Sequence, residues 1–300
     1  MEGMGRQMKS NINLHIHTTH SDGGNTPAEI IPMLKAAGIT TFAITDHDTI
    51  DGNIETAVLA KKHRLTHING VELSCCFSDG EIGQDASCTV HILGYGFNLE
   101  LMQGELAKLK AHKQKQINDL FSLLVSDGYS LNIENIAHDG KIPARKFIAN
   151  ELIGNGYATS RDDCYKNILN TSRYIPFANC KPSIKKGIEI IHACGGLAIW
   201  AHPFDVTRGG KKPLSHDQVY KLLQKLREYA IDGMEVYYQK YTPEQINWLD
   251  NLAETFKLYK TIGTDYHNFY KDTKETDVLA FDIVMPDARI AVGRGWARTP

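Results

Sequence analysis

The stretch N-I-N-L-H-I-H-T-T-H-S-D, residues 11–22, decides how the rest of the chain is read. Ile12, Leu14 and Ile16 alternate with Asn13, His15 and His17, the period of two that marks a β-strand. Alternation puts Asn13, His15 and His17 on one face, so two imidazoles point the same way. Asp22, followed by Gly23 and Gly24, adds a carboxylate on the turn beyond. Taken alone, H-x-H suits a surface strand with chance histidines as well as a metal-holding strand, and the remaining residues must choose.

Working outward, Thr26-Pro27 reads as an N-cap followed by proline at the first helical position, and that helix stops at Gly38 with Pro32 inside it. Residues 39–45 form a short β-branched run, a buried strand ending in Asp46-His47-Asp48. A helix over 53–64 follows, then a strand over 65–73 carrying Glu72 and another over 90–95 carrying His91. From 99 to 173 the rhythm changes to helical spacing, through Leu106, Leu109, Ile117, Leu120 and Leu124, with further helices over 144–153 and 161–169. Strand and helix then alternate again. The strand over 197–201 delivers His202-Pro203, G-M-E-V-Y-Y covers 233–238, and the strand over 258–263 delivers Thr264-Asp265-Tyr266-His267. The expectation is an α/β fold with mainly parallel strands, built from residues 1–98 and 174–300, with an all-helical insertion at 99–173.

A chain of 300 residues with 42% hydrophobic and 23% charged residues is an ordinary globular chain with a large core. Its net charge of −2 leaves no basic footprint for bulk capture of nucleic acid, so stable duplex binding is not expected. Residues 1–10 lack an apolar leader and no run reaches membrane-spanning length, so a cytoplasmic chain without a membrane partner is expected. The six cysteines include no C-x-x-C pair and read as reduced thiols.

The informative feature is positional. His15, His17, His47, Glu72, His91, His202, Asp265 and His267 all fall at or just beyond an expected strand, with Asp22 on the first loop. In parallel α/β barrels the strand ends converge on one mouth. Nitrogen and oxygen donors without thiolates suit Zn, Mn or Fe, and this many exceed one ion's needs. H-I-H with S-D-G, I-T-D-H-D, G-V-E, His91, A-H-P and G-T-D-Y-H together resemble the PHP (polymerase and histidinol phosphatase) superfamily. The helical insertion resembles the cap of its stand-alone phosphoesterases, which include nucleoside monophosphate and 3',5'-bisphosphate phosphatases.

That resemblance implies a distorted (β/α)7 barrel with an inserted helical cap and a three-metal site. One ion would be held by His15, His17, Glu72 and Asp265. A second would share Glu72 and add His91 and His202, and a third would lie among Asp22, His47 and His267. It implies a phosphatase acting on a small phosphorylated metabolite, a nucleotide such as an AMP-like or 3',5'-bisphosphate substrate, through metal-activated hydroxide attack on phosphorus. Glu72, Asp265 and His202 are the catalytic expectations. A 5'-to-3' exonuclease on short RNA, a histidinol-phosphate phosphatase and a non-enzymatic polymerase-associated module are the alternatives. Where the family carries Arg-Pro-His in the cap, this chain has Pro143-Ala144-Arg145-Lys146-Phe147, so Arg145 is the expected phosphate contact and Phe147 departs from the pattern. Asp46 is the candidate for orienting an imidazole. Lys181, Arg208 and the other histidines read as surface or structural, Ser21 and Thr45 as structural, and Tyr237, Tyr238 and Tyr241 as pocket lining or core.

Overall fold

The structure, a computed structural model, describes residues 8–9, 11–77, 88–132, 145–177, 180–205, 213–268, 279 and 282–283. A seven-stranded sheet carries the first unit, in the spatial order β2 (Ile12–Asn13), β3 (Thr41–Ile44), β4 (Thr66–Phe77), β5 (Cys88–Tyr95), β6 (Leu197–Trp200), β7 (Gly233–Tyr238) and β8 (Tyr259–Gly263). Chain order and spatial order coincide. The last strand returns to the first: the Leu14 amide donates to Ile262 O at 2.9 Å, and Ile16 bridges Tyr266 in parallel. The sheet is thus nearly closed into a seven-stranded barrel. A separate antiparallel pair joins β1 (Met8–Lys9) to β9 (Asp282–Ile283).

Within the barrel β5 runs antiparallel to both neighbours and the other pairings are parallel. This qualifies the expectation that every ligand sits at a strand's C-terminal end. His91 lies in the first half of β5, opposite Ser74, and reversal of that strand brings its beginning to the mouth where parallel strands end. Glu72 is likewise mid-strand, because β4 continues to Phe77 as a two-stranded ribbon with β5.

The helices begin where their caps dictate. In α1 (Pro27–Ala36), Thr26 accepts from the Glu29 amide while Glu29 reaches back to the Thr26 amide, and Pro27 fills a position that needs no donor. The helix accommodates Pro32 over its full ten residues. Arg64 and Lys257 close α2 (Asp51–His63) and a later helix (Pro243–Phe256) in left-handed conformation. Leu14, Ala43, Leu93, Tyr95, Ile199 and Ala201 form one buried cluster, and the Tyr95 hydroxyl donates to Leu14 O at 2.7 Å. A second cluster of Ile16, Ile30, Ile31, Leu34, Phe42 and Ile44 packs α1 onto the sheet. Each such aliphatic side chain removed from water contributes about 1.5–3 kcal/mol.

Contacts divide the chain into residues 1–103 with 183–300, and residues 104–182. The second unit has its own core, in which Ile117, Leu120 and Leu124 of α3 (Leu99–Ser126) meet Ile148 and Leu152 of α4 (Arg145–Gly154), with Cys164, Ile168 and Leu169. The helix expected over 161–169 divides into a short α-helix, Arg161–Cys164, and one π-helical turn, Tyr165–Leu169. No helix among the described residues is long and apolar enough to cross a membrane.

Candidate metal centre

Glu72 stands at the centre of the site, fully buried. Its Oε1 lies 3.3 Å from His15 Nε2, 3.0 Å from His91 Nδ1 and 3.2 Å from His202 Nε2. Its Oε2 lies 3.1 Å from both His17 Nε2 and His47 Nδ1. Asp265 Oδ1 approaches His15 Nε2 at 3.3 Å and His17 Nε2 at 3.2 Å, so the two histidines of the opening strand do share a face. On the outer side Asp22 Oδ1 is 3.2 Å from His267 Nε2, and its Oδ2 is 3.9 Å from His47 Nε2. Three convergent donor groups result: His15, His17, Glu72 and Asp265; His17, Asp22, His47 and His267; and His47, Glu72 and His91. His202 joins the last of these, its Nε2 being 3.3 Å from His91 Nδ1. The structure therefore brings all nine expected ligands together, with His17 and His47 each belonging to two groups.

Two of these residues carry backbone strain. His202 has φ +27° and Asp265 φ +52°, left-handed values that a non-glycine side chain adopts at a cost of about 1 kcal/mol or more.

The donor atoms could hold a cation. His15 Nε2, His17 Nε2, His47 Nδ1 and Glu72 Oε2 are buried without a hydrogen-bond partner, although each faces the others across about 3 Å. Without a cation the cluster must balance charge with protons. Burial pulls the His17 pKa down, but hydrogen bonds to Asp265 and Glu72 raise it to about 9. Burial opposes ionisation of Glu72, yet the imidazoles of His91, His15 and His47 hold its carboxyl well below the usual range. Asp22, opposed by burial but bonded to His267, falls to about 2. Burial pushes His47 down to about 4. A divalent cation replaces those protons with a better-matched charge, and the donor set fits a borderline transition ion.

Known proteins resemble this chain over most of its length. A 5'-3' exoribonuclease of Haemophilus influenzae is 30% identical over 87% of this chain and 91% of its own, and the PHP domain family profile matches residues 13–160. This chain belongs to the PHP domain family. A 3',5'-nucleoside bisphosphate phosphatase of Chromobacterium violaceum is 25% identical over 86% of this chain and 87% of its own. The solved structure of a Bifidobacterium adolescentis protein assigned to the metal-dependent phosphoesterases shares the fold, with a TM-score of 0.59 and 24% identity over 90% of this chain and 92% of that one. The PHP chain is accordingly a hydrolase of phosphoric ester bonds.

Around the donors of this PHP domain, buried polar side chains tie the loops to one another. Asp46, expected to orient an imidazole, accepts instead from the Thr18 amide and hydroxyl at 2.7 Å and from the Ser21 hydroxyl at 2.6 Å, pinning the turn that carries Asp22. Thr45 Oγ1 accepts from the Ile16 amide, so Ser21 and Thr45 are both structural. Asn13 donates to Thr264 Oγ1 and accepts from the amides of His15 and Thr264, tying the first ligand strand to the last. A Cβ at Gly23 would come within 2.7 Å of Thr18 N and closer still to His17, so only glycine lets that turn fold back.

A cleft of about 380 Å³ opens on the donors, lined by Asp22, His47, His91, His202 and Asp265 with Tyr238, Lys240 and Asp205. Of the three tyrosines, Tyr238 faces the cleft and donates to Asp265 Oδ2 at 3.2 Å. Tyr237 turns outward to Asp250, and Tyr241 accepts from the Phe204 amide. Lys240 and Asp205 were not anticipated; both sit on loops with no pattern to announce them. Neither was Glu235, a buried carboxylate inside an apolar strand, 3.0 Å from His15. Arg145 lies in the helical unit, where its Nη2 donates to Leu169 O at 2.6 Å and Asn170 Oδ1 at 3.1 Å, and Phe147 packs on that unit's core. Lys181 is exposed, His192 pairs with Asp232, and His20 lies 3.6 Å from Glu55. Arg208, His138, Pro143 and Ala144 lie outside the described residues.

Proposed function

We propose that this PHP domain holds three divalent transition ions, Mn, Fe or Zn, and hydrolyses a phosphomonoester of a small nucleotide, AMP-like or a nucleoside 3',5'-bisphosphate. The observation that carries the reading is Glu72, a single buried carboxylate with five imidazoles at 3.0–3.3 Å from its two oxygens. Bound cations at such a cluster acidify water and offset the charge on phosphoryl oxygens. Phosphoryl transfer asks for little else but positioning and charge neutralisation. Glu72, Asp265 and His202 hold the reacting region, Tyr238 fixes the free oxygen of Asp265, and Lys240 offers an ammonium at the cleft rim. Arg145 is the phosphate contact we assign to the helical unit, on the likeness of residues 143–147 to the family's cap segment.

A second reading, stepwise removal of nucleotides from the 5' end of RNA, is favoured by the 30% identity to an exoribonuclease. The two share one chemistry. A nucleoside 3',5'-bisphosphate is the 5'-phosphorylated end of an RNA cut off after its first 3' phosphate. Attack on that phosphorus expels the same nucleotide 3'-oxygen in both, and only the group left on the phosphate differs, nothing in the bisphosphate and the rest of the chain in RNA. The test offers Mn²⁺-loaded protein adenosine 3',5'-bisphosphate, AMP and a 5'-phosphorylated oligoribonucleotide in parallel. Phosphate release from the mononucleotides supports the first reading, and mononucleotide release from the oligomer alone supports the second. Turnover that survives chelation, or turnover of none of the three, defeats both.

A further inference from the structure

We propose that Glu235 is a positioning residue that sets the tautomer of His15 and the backbone of His202, and so joins two ligand strands through one buried carboxylate. The inference rests on the cation-binding reading above and concerns which nitrogen of His15 is offered. Glu235 is fully buried on β7. Its Oε1 lies 3.0 Å from His15 Nδ1, and its Oε2 accepts the His202 backbone N–H at 2.8 Å. An ionised carboxylate only accepts, so His15 carries its proton on Nδ1 and turns an Nε2 lone pair toward Glu72 and Asp265, both 3.3 Å away. The second oxygen holds His202 in the strained turn at φ +27°.

Two further features show that the space is reserved for this pair. A Cβ at Gly263 would overlap both Glu235 Oε1 and the His15 Cβ, so the facing strand must present glycine. The β7–β8 register slips between Glu235 and Tyr237. Residues three apart on a regular strand point to opposite faces, yet here Glu235 meets His15 and Tyr238 meets Asp265 in the same site. The irregularity aims both.

The test uses the full chain loaded with Zn²⁺, which is diamagnetic. In the wild type, long-range ¹⁵N imidazole spectra should show His15 protonated at Nδ1 and coordinating through Nε2. Coordination through Nδ1, with the proton on Nε2, overturns the proposal without any variant. In Glu235→Gln, the amide oxygen can still accept from His202, but an N–H now faces His15 Nδ1 and favours the other tautomer. Zn²⁺ affinity by competitive titration should fall ten- to hundredfold. The loss in turnover should appear in kcat at limiting metal, with KM unchanged and saturating metal restoring much of it. Wild-type affinity together with an unchanged His15 tautomer in the variant refutes the role. A wild-type chain that takes up no Zn²⁺ brings down the cation-site reading itself, which titration reveals before any variant is made.

Discussion

Replacing Glu72 with glutamine removes one charge and almost no volume from the middle of the cluster. The carboxylate belongs to two of the three donor groups, so both should weaken together. At a separation near 3.1 Å and an effective dielectric of about 20, a unit charge pair is worth about 5 kcal/mol, far above thermal energy. The amide also turns an N–H toward imidazole lone pairs that need a cation. With free Mn²⁺ a hundredfold above its dissociation constant, each site adds about 2.7 kcal/mol to stability, hence about 8 kcal/mol for three. At roughly 2–4 °C per kcal/mol for a chain of this size, wild-type Tm should rise by about 16–32 °C between chelator and Mn²⁺. In Glu72→Gln the rise should shrink to about 5–11 °C, that of the one group that lacks Glu72. Metal content by mass spectrometry should fall by at least one ion per chain, and phosphate release by more than about a thousandfold. A variant with the wild-type metal content, the full Tm rise and turnover within threefold would refute the view that this carboxylate is shared.

Asp265→Asn should keep the circular dichroism of the wild type while lowering kcat by about a hundredfold or more, because Asp265 Oδ1 faces both His15 and His17; wild-type turnover in that variant would overturn the assignment. Gly263→Ala should destabilise the fold by about 1–3 kcal/mol in urea unfolding and loosen metal binding, since the added methyl collides with the Glu235–His15 pair; a neutral result would mean that the pair does not occupy that space. His67 titrates on its own, held down to about 4 by burial alone. Its folded pKa lies below the ordinary 6.5, so the unfolded chain binds more protons between those values, and stability is lost as pH falls from 6.5 toward 4. At pH 5 this costs about 1–2 kcal/mol once partial exposure is allowed for. His67→Gln should lose correspondingly less stability than the wild type between pH 7 and pH 5, and equal losses would exclude His67 as the cause.

The residues that could be found from the linear chain share one property: their chemistry sits at a boundary that sequence marks. Thr26-Pro27 and Gly38 bracket a helix because capping is local, and His47, His202 and Asp265 follow apolar runs because a strand must end before it can present them. What stayed hidden depends on neighbours far along the chain. The reversal of β5 is invisible in eight residues whose composition would serve either direction, yet it is why His91 reaches the mouth. Glu235 looks like one polar residue in an apolar strand until His15, 220 positions earlier, arrives beside it. Asp46 was expected to face an imidazole because it adjoins His47, but Thr18 and Ser21 take both of its oxygens. The π-helical turn at Tyr165–Leu169 has no periodic signature distinct from the α-helix before it.

The left-handed backbone at His202 and Asp265 has a consequence for anyone who evolves this protein in the laboratory. Both positions would be occupied more comfortably by glycine, or at 202 by asparagine, so heat selects against the two side chains to which we assign turnover. A library screened only for survival at high temperature should drift toward glycine at 202 and 265 and lose its chemistry as it hardens. Alternating rounds, one for heat and one for phosphate release, should hold both side chains and push stabilising changes into the helices instead.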